Sequence, residues 1–231
     1  GHSTRGKGRW DPADSARLEA LVADAAVPFD ASNAEHQDLL RELWGAAFPG
    51  EPCTSLRSGR WKDMGWQGED PGTDFRGSGY FGLVNLVDLA RRHPATWDAL
   101  LHKRQGARAT WEYPFAVAGL NLTFVLTEVL ELQRHRHQGQ GQGAGASHVP
   151  RGAAARGFLA LLGGESGDDA FGDLYCAAFR VLDREWLAMK ASYMEFNQVL
   201  KRTRQAVEGA LASQPASMQA LEAKLGLGPE A

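Results

Sequence analysis

The sequence predicts an all-α fold, a single globular bundle of about seven to nine helices crossed by one long irregular loop. Three observations carry that prediction. Apolar residues recur at steps of three and four along most of the chain, and alternating patterns are scarce. Cap residues stand just ahead of the periodic stretches. Apolar residues make up 43% of 231 residues, with ten Phe and seven Trp, so a sizeable core is available.

The elements follow in order. Asp11-Pro12 reads as an N-cap with Pro at the first helical position, ahead of Leu18, Leu21 and Val22. Asn33 is a second N-cap, followed by Leu39, Leu40, Leu43, Trp44 and Phe48 and closed by Pro49-Gly50. Residues 49–79 are rich in Gly and Pro but hold Trp61, Trp66 and Phe75, the composition of a long ordered loop. Phe81, Val84, Leu86, Val87 and Leu89 form a mostly buried helix that ends at His93-Pro94. Pro94 opens another through Trp97, Leu100 and Leu101. Residues 114–134 form a central helix, apolar nearly all round in its first turns and therefore expected to be enclosed by the others.

A Gly/Gln run at 138–148 reads as a flexible surface insert, and a short helix from Arg151 to Leu162 follows it. One long helix is expected from about Asp169 to Leu211, paired with the central helix, because its apolar stripe is continuous from Leu174 to Leu200. A tail helix follows Pro215. The expected layout is an N-terminal helical extension (1–29), the main domain (30–212) and the tail helix (213–231).

Composition excludes several functions. Lys plus Arg is 25 against 28 for Asp plus Glu, a net charge of −3, so no dedicated nucleic-acid face is expected. Cys53 and Cys176 are the two cysteines. That number rules out a disulfide scaffold or a site of several thiolates, and it fits a reducing, cytoplasmic setting. The most apolar run, Phe115–Leu132, carries Asn121, Thr123, Glu128 and Glu131, so no transmembrane span is expected. The chain starts Gly-His-Ser without Met and reads as an excised or recombinant piece. No GxxxxGK[ST] phosphate loop occurs, so no nucleotide site of its own is expected. His135, His137 and His148 lack acidic or thiol neighbours in sequence and read as a solvated stretch, so no metal is expected. Glu35, His36 and Asp38 form no catalytic pattern.

The stretch Trp61–Leu86 is the most specific. Trp61, Gly65, Trp66, Gln67, Gly68, Pro71, Thr73, Asp74, Phe75, Arg76, Gly77, Gly79, Gly82, Leu83 and Leu86 stand at the spacing of a known pattern, and it resembles the signature of the ELMO (engulfment and cell motility) domain family. Trp66 replaces a usual Phe, and Leu89 or Ala90 stands where another Phe is common. His36 to Trp44, Tyr113 to Ala116, Gly119 to Thr123, and Met194 to Asn197 are similar to the family as well, so the resemblance covers roughly 30–205. The chain is most similar to the short branch that consists of little more than this domain.

The resemblance implies a GTPase-activating protein for ADP-ribosylation-factor (Arf/Arl) family small GTPases, with GTP and Mg²⁺ belonging to the partner and no cofactor of its own. It implies a cytoplasmic, organelle-associated protein that reaches membranes through its partner. It places the activating arginine at Arg76. An arginine supplied in trans stabilises charge on the transferring phosphoryl group and is worth on the order of 10³–10⁵ in rate. From the residues alone Arg76 reads equally as a loop pin, paired with Asp74 or stacked on Trp61, Trp66 or Phe75.

Gln67 is a second candidate, able to orient water, although its amide more readily caps turns. Asp74 and Thr73 read as groups that orient Arg76 or cap the helix beginning near Gly79. Gly77 and Gly79 would let backbone approach a partner. Asn121, inside the most apolar helix, reads as a buried amide tying the loop to the core. Trp61 and Trp66 read as core anchors, or as partner contacts where exposed, and Phe75 as a residue that structures the loop or meets a partner. The alternative function is a non-catalytic module that docks a small GTPase or a DOCK-type Rac exchange factor, with Arg76 structural. Exposure of Arg76 discriminates the two.

Overall fold

The first two helices start where the expected cap residues stand. The computed structural model describes residues 11–103, 112–133 and 148–230. Helix α1 (Pro12–Ala25) begins behind Asp11, whose carboxylate accepts the Ala13 N–H. Helix α2 (Ala34–Ala47) begins behind Asn33, whose side chain accepts the Glu35 and His36 N–H groups. Two 3₁₀ turns, Gly59–Met64 and Pro71–Asp74, lie within the expected irregular loop. Then come α3 (Tyr80–Arg92), α4 (Pro94–His102), α5 (Phe115–Val129), α6 (Ala153–Leu162), α7 (Ala170–Ala188), α8 (Phe196–Ala212) and α9 (Met218–Lys224). No strand occurs among the described residues.

Helix α5 is the axis of the bundle. It lies against α3, α7 and α8, and α2 packs on the outer side of α3. Leu122 and Leu126 of α5 are wholly buried, each stabilising by about 1.5–3 kcal/mol. Two hydrogen bonds link helices through polar groups inside this core. Asn85 Nδ2 donates to Thr123 Oγ1 at 3.1 Å, joining α3 to α5. Tyr175 of α7 donates its hydroxyl to the Gly119 carbonyl at 3.0 Å, and burial pushes that phenol up, so it stays a donor. The outer helices close over this core: α1 on α3 and α6, α6 on α8, and α9 on α7 and α8. Leu18 and Val22 place the N-terminal extension in the same core.

The single long helix expected over 169–211 is two. The chain leaves α7 at Met189, passes Lys190 at φ 46°, and restarts through a short 3₁₀ turn, Tyr193–Glu195. Ser192 and Glu195 cap each other reciprocally there, a start signal that outweighs the continuous stripe. The split lets α8 fold back on α7, and both halves touch α5.

Helix α5 also stops earlier than expected. Glu131 adopts φ 55°, and the Leu132 N–H reaches the Thr127 carbonyl at 2.9 Å. The Glu131 carboxylate accepts the Arg151 and Gly152 N–H groups ahead of α6, at 3.1 and 2.7 Å through Oε2. Apart from His148, the expected insert at 138–148 lies outside the described residues, as do His135 and His137. His148 is described, and its N–H donates to Glu19 at 2.8 Å.

Candidate functional site: the groove beside Arg76

The loop over 49–79 is held by aromatic rings. Trp61 is wholly buried and donates its indole N–H to the Leu56 carbonyl at 3.0 Å. Its ring centroid lies 5.1 Å from Trp44 and 6.0 Å from Trp66. Trp66 continues to Phe75 at 5.3 Å, and Phe75 stacks on Phe29 at 4.3 Å. These spacings are those of favourable aromatic pairs. Trp61, Trp66 and Phe75 are all buried and anchor the loop in the core. The buried Trp66 indole N–H has no partner among the described residues.

Polar groups finish the loop. Asp70 caps the second 3₁₀ turn by accepting the Gly72 N–H at 2.9 Å. Thr73 donates its hydroxyl to the Asp70 carbonyl at 2.9 Å and lies 3.3 Å from Asp74. Asp74 accepts the Gln67 backbone N–H at 3.0 Å, so the two ends of the segment are sewn together. This corrects the expectation for Asp74 and Thr73. Asp74 does not hold Arg76, and neither residue caps α3, which starts behind Gly79 without a side-chain cap.

The turn Phe75–Gly79 decides where Arg76 goes. The Gly79 N–H bonds the Phe75 carbonyl at 2.8 Å, and the Tyr80 N–H bonds the Val27 carbonyl at 3.0 Å. Phe75 and Ser78 point inward and are buried, which leaves Arg76 and Gly77 outward and exposed. Gly79 sits at φ 63°, and a Cβ there would lie 2.6 Å from the Val27 carbonyl oxygen. Its close approach is thus to its own chain, not to a partner. Gly77 has only the Phe124 ring, at 3.9 Å from a Cβ position, and stays open.

Arg76 has no hydrogen bond, ion pair or ring contact among the described residues. The stacking expected on Trp61 or Trp66 is absent because those rings are inside; the arginine that covers a ring in this loop is Arg60, over Phe48 at 4.1 Å.

Arg76 lines a groove of about 540 Å³ between the loop and α5, with Gln67, Thr73, Asp74 and Gly77 on one wall and Val117, Asn121 and Phe124 on the other. An adjoining hollow of about 420 Å³ shares Gln67, Val117 and Asn121 and runs on to Tyr193, Phe196 and Asn197 at the start of α8. Gln67 is exposed, and its amide makes no hydrogen bond among the described residues. Asn121 is half-buried and donates to the Val117 carbonyl of its own helix at 3.0 Å. It lines the groove and does not tie the loop to the core; Asn85 joins α3 to α5 instead. Helix α5 is accordingly not enclosed all round. Val117, Asn121 and Phe124 form an outward stripe at helical spacing, and the polar Asn121 was its marker in the sequence.

Chemically the groove offers one guanidinium unpaired among the described residues, one carboxylate already engaged and two amides, of Gln67 and Asn121. Among the described residues it holds no nucleophile–base pair, and no set of His, Cys and carboxylate atoms fit to hold a metal lies in it. No described helix is long and apolar enough to cross a membrane. The arrangement suits recognition or stabilisation of negative charge carried by another molecule.

Relatives carry the same domain in their names. The chain is 30% identical to ELMO domain-containing protein A of Dictyostelium discoideum over 213 residues, 90% of this chain and 22% of that protein. It is 29% identical to ELMO domain-containing protein C of the same organism over 215 residues, 92% of this chain and 32% of that one. Mouse ELMO domain-containing protein 2 is 36% identical over 104 residues, 45% of this chain and 35% of that protein. The chain thus spans about a quarter to a third of these relatives' lengths. The family model described as ELMO/CED-12 matches residues 19–200, a span that holds the aromatic loop, the Arg76 turn and every wall of the groove: the chain belongs to the ELMO/CED-12 family.

Proposed function

We propose that this chain is a GTPase-activating domain for an Arf/Arl-family small GTPase, with Arg76 approaching the bound GTP in trans. The observation that carries the reading is the state of Arg76, exposed at the rim of a groove and unpaired among the described residues, on a turn whose neighbours Phe75 and Ser78 are locked inside. A guanidinium used up by carboxylates would favour the non-catalytic reading; this one has no carboxylate partner among the described residues. A finger works by presenting charge where charge develops, and a rigid turn holds it there without reorganisation. The resemblance of the Thr73–Gly77 segment to the family's activating motif supports the same role. Val117, Phe124 and Tyr193 would meet the GTPase surface, with Gln67 next to Arg76. GTP and Mg²⁺ would come with the GTPase, and a cytoplasmic, membrane-associated setting would come with it too.

Single-turnover GTP hydrolysis by a panel of Arf/Arl GTPases tests this, with wild-type protein, Arg76→Ala and Arg76→Lys. The expected result is an acceleration on the order of 10³–10⁵ that both variants lose while remaining folded. Acceleration that survives Arg76→Ala would make the arginine structural. No acceleration by wild type across the panel would leave the docking-module reading in its place.

A further inference from the structure

A second polar cluster lies where the α3–α4 junction meets α7 and the C-terminal segment. His93 ends α3 and is gripped on both sides: Nε2 lies 3.2 Å from Asp173 Oδ1, and Nδ1 lies 2.7 Å from Glu230 Oε1. Cys176, one turn along α7 from Asp173, turns its thiol to the same carboxylate, with Sγ 3.3 Å from Glu230 Oε1. Thr96 of α4 donates to the other oxygen of Glu230 at 3.2 Å. A His93 nitrogen, the Cys176 sulfur and a Glu230 oxygen all lie within 4.8 Å of one another.

We propose that His93, Cys176 and Glu230 form a zinc site that clamps the C-terminal segment onto α4 and α7. The donor set is one imidazole nitrogen, one thiolate and one carboxylate, which suits zinc, with a fourth position left to water. Asp173 stands behind His93 Nε2, the place where a carboxylate orients a ligating imidazole. Arg92 in turn holds Asp173, at 2.7 Å.

The electrostatics agree. Asp169, Asp173, Glu222 and Glu230 gather here against Arg92 and Arg180. A divalent cation relieves the excess negative charge.

Distances also fit. Tetrahedral zinc separates nitrogen and oxygen ligands by about 3.3 Å, and sulfur and oxygen by about 3.5 Å. The present contacts of 2.7 and 3.3 Å need only small openings. The hydrogens now bridging Nδ1 and Sγ to Glu230 occupy the place of the ion. Binding releases the thiol proton and the Nδ1 proton, while Nε2–H stays on Asp173.

Cobalt(II) titration of the full chain, with a zinc competition series against a chelating dye, tests the site. One equivalent should bind, with the near-ultraviolet sulfur-to-cobalt charge-transfer band and the strong visible bands of tetrahedral cobalt. That band separates this site from any histidine elsewhere, which has no thiolate. Cys53→Ser should keep it and Cys176→Ala should abolish it. Glu230→Gln changes a partly exposed side chain, so the fold should persist while zinc affinity falls tenfold or more. Asp173→Asn should weaken binding about 10- to 100-fold. Absence of the band in wild type, its survival in Cys176→Ala, or unchanged affinity in Glu230→Gln would each overturn the proposal and leave a hydrogen-bonded strap. Should Cys176→Ala fail to fold, Glu230→Gln decides. The proposal does not depend on the role of Arg76.

Discussion

Gly65→Ala should damage the groove by pushing the loop away from the start of α5. Gly65 ends the first 3₁₀ turn at φ 95°, ψ 23°. A Cβ there would lie 2.3 Å from the Phe115 nitrogen, 2.6 Å from the Pro114 carbonyl carbon and 2.9 Å from its Cα. All three are backbone atoms at the start of α5, so no rotamer change relieves the clash. The loop must move outward by about 1 Å to restore contact distance, and that strains the Val117 N–H bond to the Gly65 carbonyl, now 3.2 Å. The left-handed conformation costs about 1–2 kcal/mol. Overpacking adds about 1–3 kcal/mol. The expected loss is thus about 2–5 kcal/mol, a large share of the 5–15 kcal/mol typical of a domain.

Guanidinium unfolding followed by tryptophan fluorescence reads it directly, since Trp61 and Trp66 flank the site. The midpoint should fall with little change in slope. Gly68→Ala is the control, because a Cβ at Gly68 meets nothing within 4 Å. A Gly65→Ala loss below about 0.5 kcal/mol, within the ordinary range for a surface change, would refute the close packing of loop on α5 and with it the rigidity claimed for the Arg76 turn.

Arg76→Ala should leave unfolding free energy unchanged within about 0.5 kcal/mol, since the side chain is exposed and unpaired; a larger loss would reveal a structural bond and weaken the finger reading. Asn85→Leu should cost about 1–3 kcal/mol by removing the donor to the buried Thr123 hydroxyl. The double variant with Thr123→Val should then lose less than the two singles combined, by about 0.5–3 kcal/mol, whereas strict additivity would show that the pair does not act together. Glu131→Ala should cost about 0.5–2 kcal/mol by removing the acceptor of the Arg151 and Gly152 N–H groups, and hydrogen exchange should quicken first in the opening turn of α6. Uniform exchange across α6 would argue against capping.

Much of this molecule is written locally. Asp11 and Asn33 announce helix starts because a side chain and an amide two or three residues on suffice to make a cap. The aromatic, Gly-rich loop and its resemblance to a family pattern are likewise properties of one short segment. Ser192 and Glu195 were legible in the same way, but the unbroken apolar stripe through Leu200 masked them, since a stripe reports which face is buried and not whether the chain has turned back.

The orientation of Arg76 belongs to the tertiary structure. Phe75 is drawn inward by Phe29, and the Tyr80 N–H is held by the Val27 carbonyl, both far upstream, so the arginine between them is left outside. Asn121 is half-exposed because no described helix covers that stripe of α5, a fact of packing that hydrophobicity along α5 could not contain. His93, Cys176 and Glu230 converge for the same reason. Caps and periodicity arise from neighbours along the chain, whereas a groove or a ligand set arises from elements that meet only once the core has closed.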